Sequence, residues 1–156
     1  MSGDDDLILE DLVRIDPGQY EAIVVSTKKV RRFGNVTIEF LFRIVSPGSA
    51  FDVQLRGYCN LGPTDGRRIK QQSKLAKWMR LIAAFAGISQ SRVRLRHFRD
   101  YWLSVRVDTV TKDYRQQPLA PHDQYSSVIN IVAVIGNLAD RREEQKQVSA
   151  RDMDAS

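Results

Sequence analysis

The most regular alternation of apolar and polar residues lies between residues 36 and 45. Every second position there is apolar, from Val36 to Ile44, and Glu39 and Arg43 fall between them. Because side chains of a β-strand point alternately to opposite faces, this spacing predicts a strand with one buried face. β-Branched and aromatic residues predict further strands at residues 19–29, 51–60, 101–111 and 125–135.

The period of the apolar residues changes after the loop at residues 62–66. Ser73 is predicted to cap a helix that Gly87 ends. Its apolar residues recur at helical spacing, and on this pattern Trp78 is a core residue. The secondary structure of residues 89–100 is ambiguous, either a strand or a loop, because apolar residues and arginines alternate there only briefly. The predicted apolar stripe of the helix consists of Leu75, Trp78, Met79, Ile82 and Phe85.

Three strands joined by short turns, one helix and two more strands are the element order of an OB-fold. The fold prediction is therefore mainly β: a five-stranded OB-fold-like barrel with one α-helix between strands three and four. Three segments follow from the composition: residues 1–12 as an acidic flexible leader, residues 13–138 as the folded domain, and residues 139–156 as a flexible charged tail.

Charge is distributed unevenly along the 156 residues. The net charge is +5, but residues 1–12 carry five acids and no base, whereas residues 13–138 carry 20 basic and nine acidic side chains. A body of net charge +11 indicates a polyanionic partner. A basic surface that serves solubility alone stays open as the alternative.

The sequence lacks the residues that several classes of protein need. The sequence has no apolar run of membrane-spanning length, no apolar segment behind an N-terminal basic one, and neither a phosphate-binding loop nor a dinucleotide-binding glycine turn. Its single cysteine, Cys59, rules out an internal disulfide and is expected in the core, and His97 and His122 lack metal-pair spacing. We expect a soluble cytoplasmic protein without catalytic residues, metal, cofactor or membrane partner.

Basic and aromatic residues occur together at three places that an OB-fold brings to one surface. Such a surface neutralises phosphates and stacks bases. Tyr58 and Trp102 have an alternative role as anchors of a protein contact. The predicted nucleic-acid-binding residues are Arg31, Arg32 and Phe33 in the first loop, Arg43, Arg56 and Tyr58 on the sheet face, and Trp102, Arg106, Lys112 and Tyr114 on the fourth strand and the loop after it.

Element order and spacing over residues 18–138 resemble those of OB-fold single-stranded-DNA-binding modules of phage, plasmid and mobile-element replication systems. The resemblance is carried also by Gly18-x-Tyr20-x-Ala22, by Gly57-Tyr58-Cys59-Asn60 and by Tyr125-Ser126-Ser127-Val128-Ile129.

The resemblance implies binding of single-stranded DNA with little sequence preference, in DNA replication or recombination. Replication or recombination proteins and a second copy of the chain are further partners that it leaves open. One alternative function is an adaptor or assembly subunit that binds protein partners in a nucleoprotein complex. RNA binding is another, because nothing in the residues selects between the two sugars.

Overall fold

A computed structural model describes residues 12–64, 68–113 and 115–140. This part is mainly β, as predicted, and residues 1–11 of the predicted leader and 141–156 of the predicted tail lie outside it. The elements are β1 (Gly18–Arg32), β2 (Asn35–Ile44), β3 (Gln54–Gly62), α1 (Lys74–Ala86), β4 (Tyr101–Val110) and β5 (Tyr125–Asn137). Two 3-10 helices, Gln90–Arg92 and Leu95–Asp100, follow α1, and a third, Pro121–Asp123, precedes β5.

The five strands form one antiparallel sheet in the order β3-β2-β1-β4-β5. The sheet is not closed, because β3 and β5 are its edges and no ladder joins them in the described part of the chain. The register of β1 against β2 shifts between Val24 and Ser26. Such a bulge bends a strand and increases its twist. β1 thereby bends where its pairing with β4 has ended at Ala22 and its pairing with β2 continues.

The two edge strands nevertheless touch. The hydroxyl of Ser127 on β5 donates a hydrogen bond of 2.8 Å to the carbonyl oxygen of Arg56 on β3. A Cβ atom on Gly57 would lie 2.7 Å from the carbonyl oxygen of Val128. Only a residue without a side chain permits this approach. The sheet is therefore curled far enough to bring its two edge strands, β3 and β5, into contact.

The predicted alternation in β2 is confirmed for the inner face, because every second residue from Val36 to Ile44 is buried. Thr37, predicted on the other face, is buried as well. Phe40 lies at the centre of an aromatic cluster beneath α1. Its ring centroid is 5.2 Å from that of Trp78 and 5.1 Å from that of Phe98, with both rings edge-on. Edge-on rings add about 0.5–1.5 kcal/mol per pair beyond the area that they bury.

Helix α1 begins and ends where the sequence predicts. Ser73 accepts a hydrogen bond of 3.1 Å from the Ala76 amide, and Gly87 has the left-handed φ of 69° that suits glycine at a helix end. Trp78 is 1% exposed, which confirms it as a core residue, and its indole nitrogen donates to Asn130 of β5. None of the helices among the described residues has the length and apolarity to cross a bilayer.

Two local predictions are wrong. Phe85 is 47% exposed, because the last turn of α1 extends beyond the core and the ring lies edge-on against Tyr101. The third strand begins at Gln54 rather than at residue 51. Asp52 has a left-handed φ of 69°, which interrupts extended backbone, and Phe51 before it is 58% exposed.

Candidate nucleic-acid interface

The outer face of β2 and β3 brings three of the predicted residues together. In the ladder, Arg56 lies opposite Leu41, Tyr58 opposite Glu39, and Gln54 opposite Arg43. Directly paired residues of antiparallel strands point to the same side of a sheet. Arg43, Arg56 and Tyr58 therefore share one surface.

The segment before β1 forms a wall beside this surface. The Ser126 amide of β5 donates to the carbonyl oxygen of Val13 at 2.9 Å. The Ser126 hydroxyl accepts from the Ile15 amide at 2.8 Å and donates to the Ile15 carbonyl oxygen at 3.1 Å. These bonds hold residues 13–15 along the start of β5.

A groove results between this wall and the sheet face. We call it the β2–β3 groove and define it by six of the residues that line it: Leu12, Val13, Leu41, Arg56, Tyr58 and Tyr125. Both tyrosines are half-buried, so each has a ring partly accessible from the groove. Tyr125 was not among the predicted site residues, although it begins the predicted last strand. Leu12 belongs to this groove rather than to a separate leader.

Each arginine on the sheet face has a carboxylate partner. Arg56 Nε lies 2.9 Å from Glu39 Oε1, and Arg43 Nε lies 3.6 Å from Asp52 Oδ1. The side chains of Arg56 and Glu39 are 46% and 25% exposed, so solvent screens this pair in part. The face is therefore less cationic than the arginines alone indicate.

Trp102 and Arg106 lie on the outer face of β4, apart from the β2–β3 groove. The Trp102 indole nitrogen donates to Glu21 Oε1 at 3.0 Å, which fixes the orientation of the half-buried ring. Arg106 lies opposite Gln19 of β1 and Asn130 of β5. β1 and β2 separate these residues from Arg56 in the strand order.

Of the three residues predicted in the first loop, only Phe33 lies in the turn of the hairpin that joins β1 and β2; Arg31 and Arg32 belong to β1 itself. Phe33 and Gly34 both have positive φ angles, 52° and 79°, as the central residues of a type I′ turn do. Phe33 is 65% exposed and Arg31 is exposed. Arg32 is the last residue of β1, and its side chain lies outside the described part of the structure.

The second predicted loop lies at the far end of β4. Exposed Lys112 forms an isolated bridge with Pro118, and Tyr114 lies outside the described residues. β4 has ten residues, so at about 3.3 Å per residue Lys112 lies about 30 Å along the chain from Trp102. These two predicted residues do not share one compact platform.

Cys59 is 1% exposed, which confirms its predicted place in the core. Burial raises the pKa of its thiol to about 12, although the charge of Lys74 opposes this shift. Burial also lowers the pKa of Lys74, whose ammonium donates to the Ile129 carbonyl oxygen. The thiol is therefore protonated at neutral pH. Within the described residues no group of three His, Cys, Asp or Glu side chains is arranged to hold a metal ion.

Comparison with known protein families, with curated proteins and with solved structures found no match to this chain.

Proposed function

We propose that the chain folds as an OB-like barrel and binds single-stranded DNA, with little sequence preference, in the β2–β3 groove. The observation that carries the proposal is the presence of Arg56, Tyr58 and Tyr125 in one groove. Phosphate neutralisation and base stacking are the two interactions that sequence-tolerant single-strand binding needs. A role in replication or recombination of a phage, plasmid or mobile element belongs to the same proposal and rests on the resemblance of the sequence.

The contact between the edge strands supports the barrel. An OB-fold is a five-stranded and partly open barrel that binds ligands on its second and third strands. Here the hydroxyl of Ser127 reaches the backbone of Arg56, and Gly57 lies against Val128 without a strand ladder. A barrel open at this seam has its groove on the outer face of β2 and β3.

The charge distribution supports a nucleic-acid ligand. Lys28 lies opposite Glu39 in the ladder, so its side chain is on the same face as Arg56 and Tyr58. Lys29 and Arg31 are also exposed, but they lie opposite the buried residues Ile38 and Val36 and therefore belong to the other face of the sheet. A single strand laid across β3, β2 and β1 meets the ring of Tyr58 on β3 and the ammonium of Lys28 on β1, with Glu39 between them on β2.

Fluorescence anisotropy with labelled single-stranded DNA, matched RNA and duplex DNA, each over a salt series, tests the proposal. We expect tightest binding to single strands, with log affinity falling against log salt by about 0.7 for each phosphate contacted. Equally weak binding to all three polymers would mean that residues 13–138 attract any polyanion through their positive charge alone. That result would contradict the proposal. Selective binding of RNA would favour the RNA alternative.

Phe33 provides a test in which stability and binding change in opposite directions. Type I′ turns favour Asn before Gly, and a phenylalanine at positive φ is strained. We expect Phe33→Asn to raise the free energy of unfolding by about 0.5–1 kcal/mol. The same change removes an exposed ring and weakens single-strand binding by about 1–3 kcal/mol if the ring stacks on a base.

Urea denaturation and anisotropy measure the two effects. Phe85 is the matched control, because it is also an exposed phenylalanine but lies at the end of α1. Phe85→Ala should leave the affinity for a short oligonucleotide unchanged. If Phe33→Asn binds like the parent chain, the hairpin tip takes no part in the interface.

A further inference from the structure

The two 3-10 helices between α1 and β4 display arginines on a firmly anchored backbone. Val93 and Phe98 are 1% and 0% exposed, and Phe98 belongs to the aromatic cluster around Phe40. The arginines that alternate with these anchors are exposed. Residues 89–100, left open by the sequence pattern, thus have a buried apolar side and a cationic outer side.

One of the four arginines has a structural role. The Arg94 guanidinium donates to the carbonyl oxygens of Ser91 at 2.7 Å and Val93 at 3.1 Å. The Arg94 amide donates to His97 Nδ1 at 2.9 Å. These contacts hold the link between the two 3-10 helices. The other three form what we call the arginine surface: Arg92, Arg96 and Arg99.

The arginine surface differs electrostatically from the β2–β3 groove. Arg43 and Arg56 each have a carboxylate within ion-pair distance, whereas none of the ion pairs in the described part of the chain involves Arg92, Arg96 or Arg99. Three like charges within eight residues repel one another, and burial of Val93 and Phe98 keeps their backbone in place. A polyanion relieves this repulsion.

The position of the arginine surface relates it to the groove. The second 3-10 helix packs against β1, and β1 adjoins β2 and β3 in the sheet. Neighbouring strands are about 4.8 Å apart, so a path across the sheet from β3 to β1 is about 10 Å long. Lys28 stands on this path, opposite Glu39. The second 3-10 helix therefore adjoins the strand at which this path ends.

We propose that the arginine surface is a second phosphate-binding site, which a single strand reaches after it has filled the β2–β3 groove. The inference rests on the proposed function and deepens it. Short oligonucleotides occupy the groove alone, whereas longer ones contact both sites. The surface thus extends the length of strand that one chain binds, within the range of about 4–16 nucleotides known for single OB-folds.

The test compares two oligonucleotides, of about 6 and about 20 nucleotides, with three proteins over a salt series. The first protein is the parent, and the second is the triple variant Arg92→Gln/Arg96→Gln/Arg99→Gln. The third is a control that loses the same charge from the exposed residues before and on α1: Arg68→Gln/Lys70→Gln/Lys77→Gln. Circular dichroism checks that each variant is folded.

We expect the triple variant to reduce the salt slope for the long oligonucleotide by about 2, at about 0.7 per lost phosphate contact. Its binding of the short oligonucleotide should match that of the parent, and the control should change the long-oligonucleotide slope by less than half as much. An unchanged slope with the long oligonucleotide would overturn the inference and favour an acidic protein as the ligand of these arginines. An equal loss with the short oligonucleotide would overturn it as well, because the arginines would then act on the groove itself.

Arg56→Gln, tested on the short oligonucleotide, separates this inference from the proposed function. If Arg56→Gln weakens binding while the triple variant has no effect at either length, only the second site is refuted. If the parent shows no single-strand preference and Arg56→Gln changes nothing, the proposed function fails, whatever the triple variant does.

Discussion

Gly57→Ala is expected to lower the free energy of unfolding by about 2–3 kcal/mol. The added methyl group would lie 2.7 Å from the Val128 carbonyl oxygen and 3.0 Å from the Phe42 ring. The carbonyl belongs to the backbone of β5, so it cannot rotate away as a surface side chain does. The change therefore forces β3 and β5 apart at the place where the edges of the sheet touch. Urea denaturation followed by circular dichroism measures the loss.

Gln54→Ala is the control for this prediction. Gln54 is an exposed residue of the same strand, and its truncation should change stability by less than about 0.5 kcal/mol. Ser127→Ala provides an independent check, because it removes the hydrogen bond to the Arg56 carbonyl oxygen at a cost of about 1 kcal/mol. A Gly57→Ala chain as stable as the parent would show that the two edges do not pack together.

Local patterns of the sequence were sufficient to predict individual elements. In β2, every second residue from Val36 to Ile44 is buried, because the period of two of an extended strand turns these side chains to one face. The same holds for α1, whose ends depend on Ser73 and Gly87 alone. Neighbouring residues were thus sufficient for β2 and for both ends of α1, but not for Phe85, which the helical pattern placed in the core and which is exposed.

Contacts between distant residues were beyond such patterns. Ser126 forms hydrogen bonds with the backbone of Ile15, 111 positions away in the chain, and no sequence pattern near either residue predicts this contact. The wall of the groove and the place of Tyr125 in it depend on this contact. The start of β3 was missed for a different reason: the left-handed φ of Asp52 is a conformation that few non-glycine residues adopt.

The outward cations and aromatics of the candidate site were predictable from alternation, but their polar partners were not. Whether Arg56 meets Glu39, and whether Trp102 meets Glu21, depends on the register between strands. The same register places Arg43, Arg56 and Tyr58 together and leaves Arg106 on another part of the sheet. The carboxylates on the outer face of β2 and β3 therefore make it less cationic than expected. They also permit a more specific test of phosphate binding at Arg56.

Arg56→Gln and Glu39→Gln are expected to change single-strand affinity in opposite directions. Arg56→Gln removes a charged hydrogen bond to a phosphate and should weaken binding about tenfold, with a salt slope lower by about 0.7. Glu39→Gln removes the carboxylate that holds Arg56 at 2.9 Å. Phosphate then no longer competes with Glu39 for the guanidinium, and binding should tighten about threefold, as expected for an ion pair of about 0.2–1 kcal/mol. Anisotropy on a short single-stranded oligonucleotide measures both changes.

Lys77→Gln is the control for loss of positive charge, because Lys77 is exposed on α1. We expect Lys77→Gln to change the affinity much less than Arg56→Gln does. Both test variants break the same ion pair, so a loss of stability alone would weaken binding in each of them. The opposite signs are therefore specific to a phosphate at Arg56. If Glu39→Gln weakens binding as much as Arg56→Gln, the ion pair supports the fold and the nucleic acid contacts a different part of the surface.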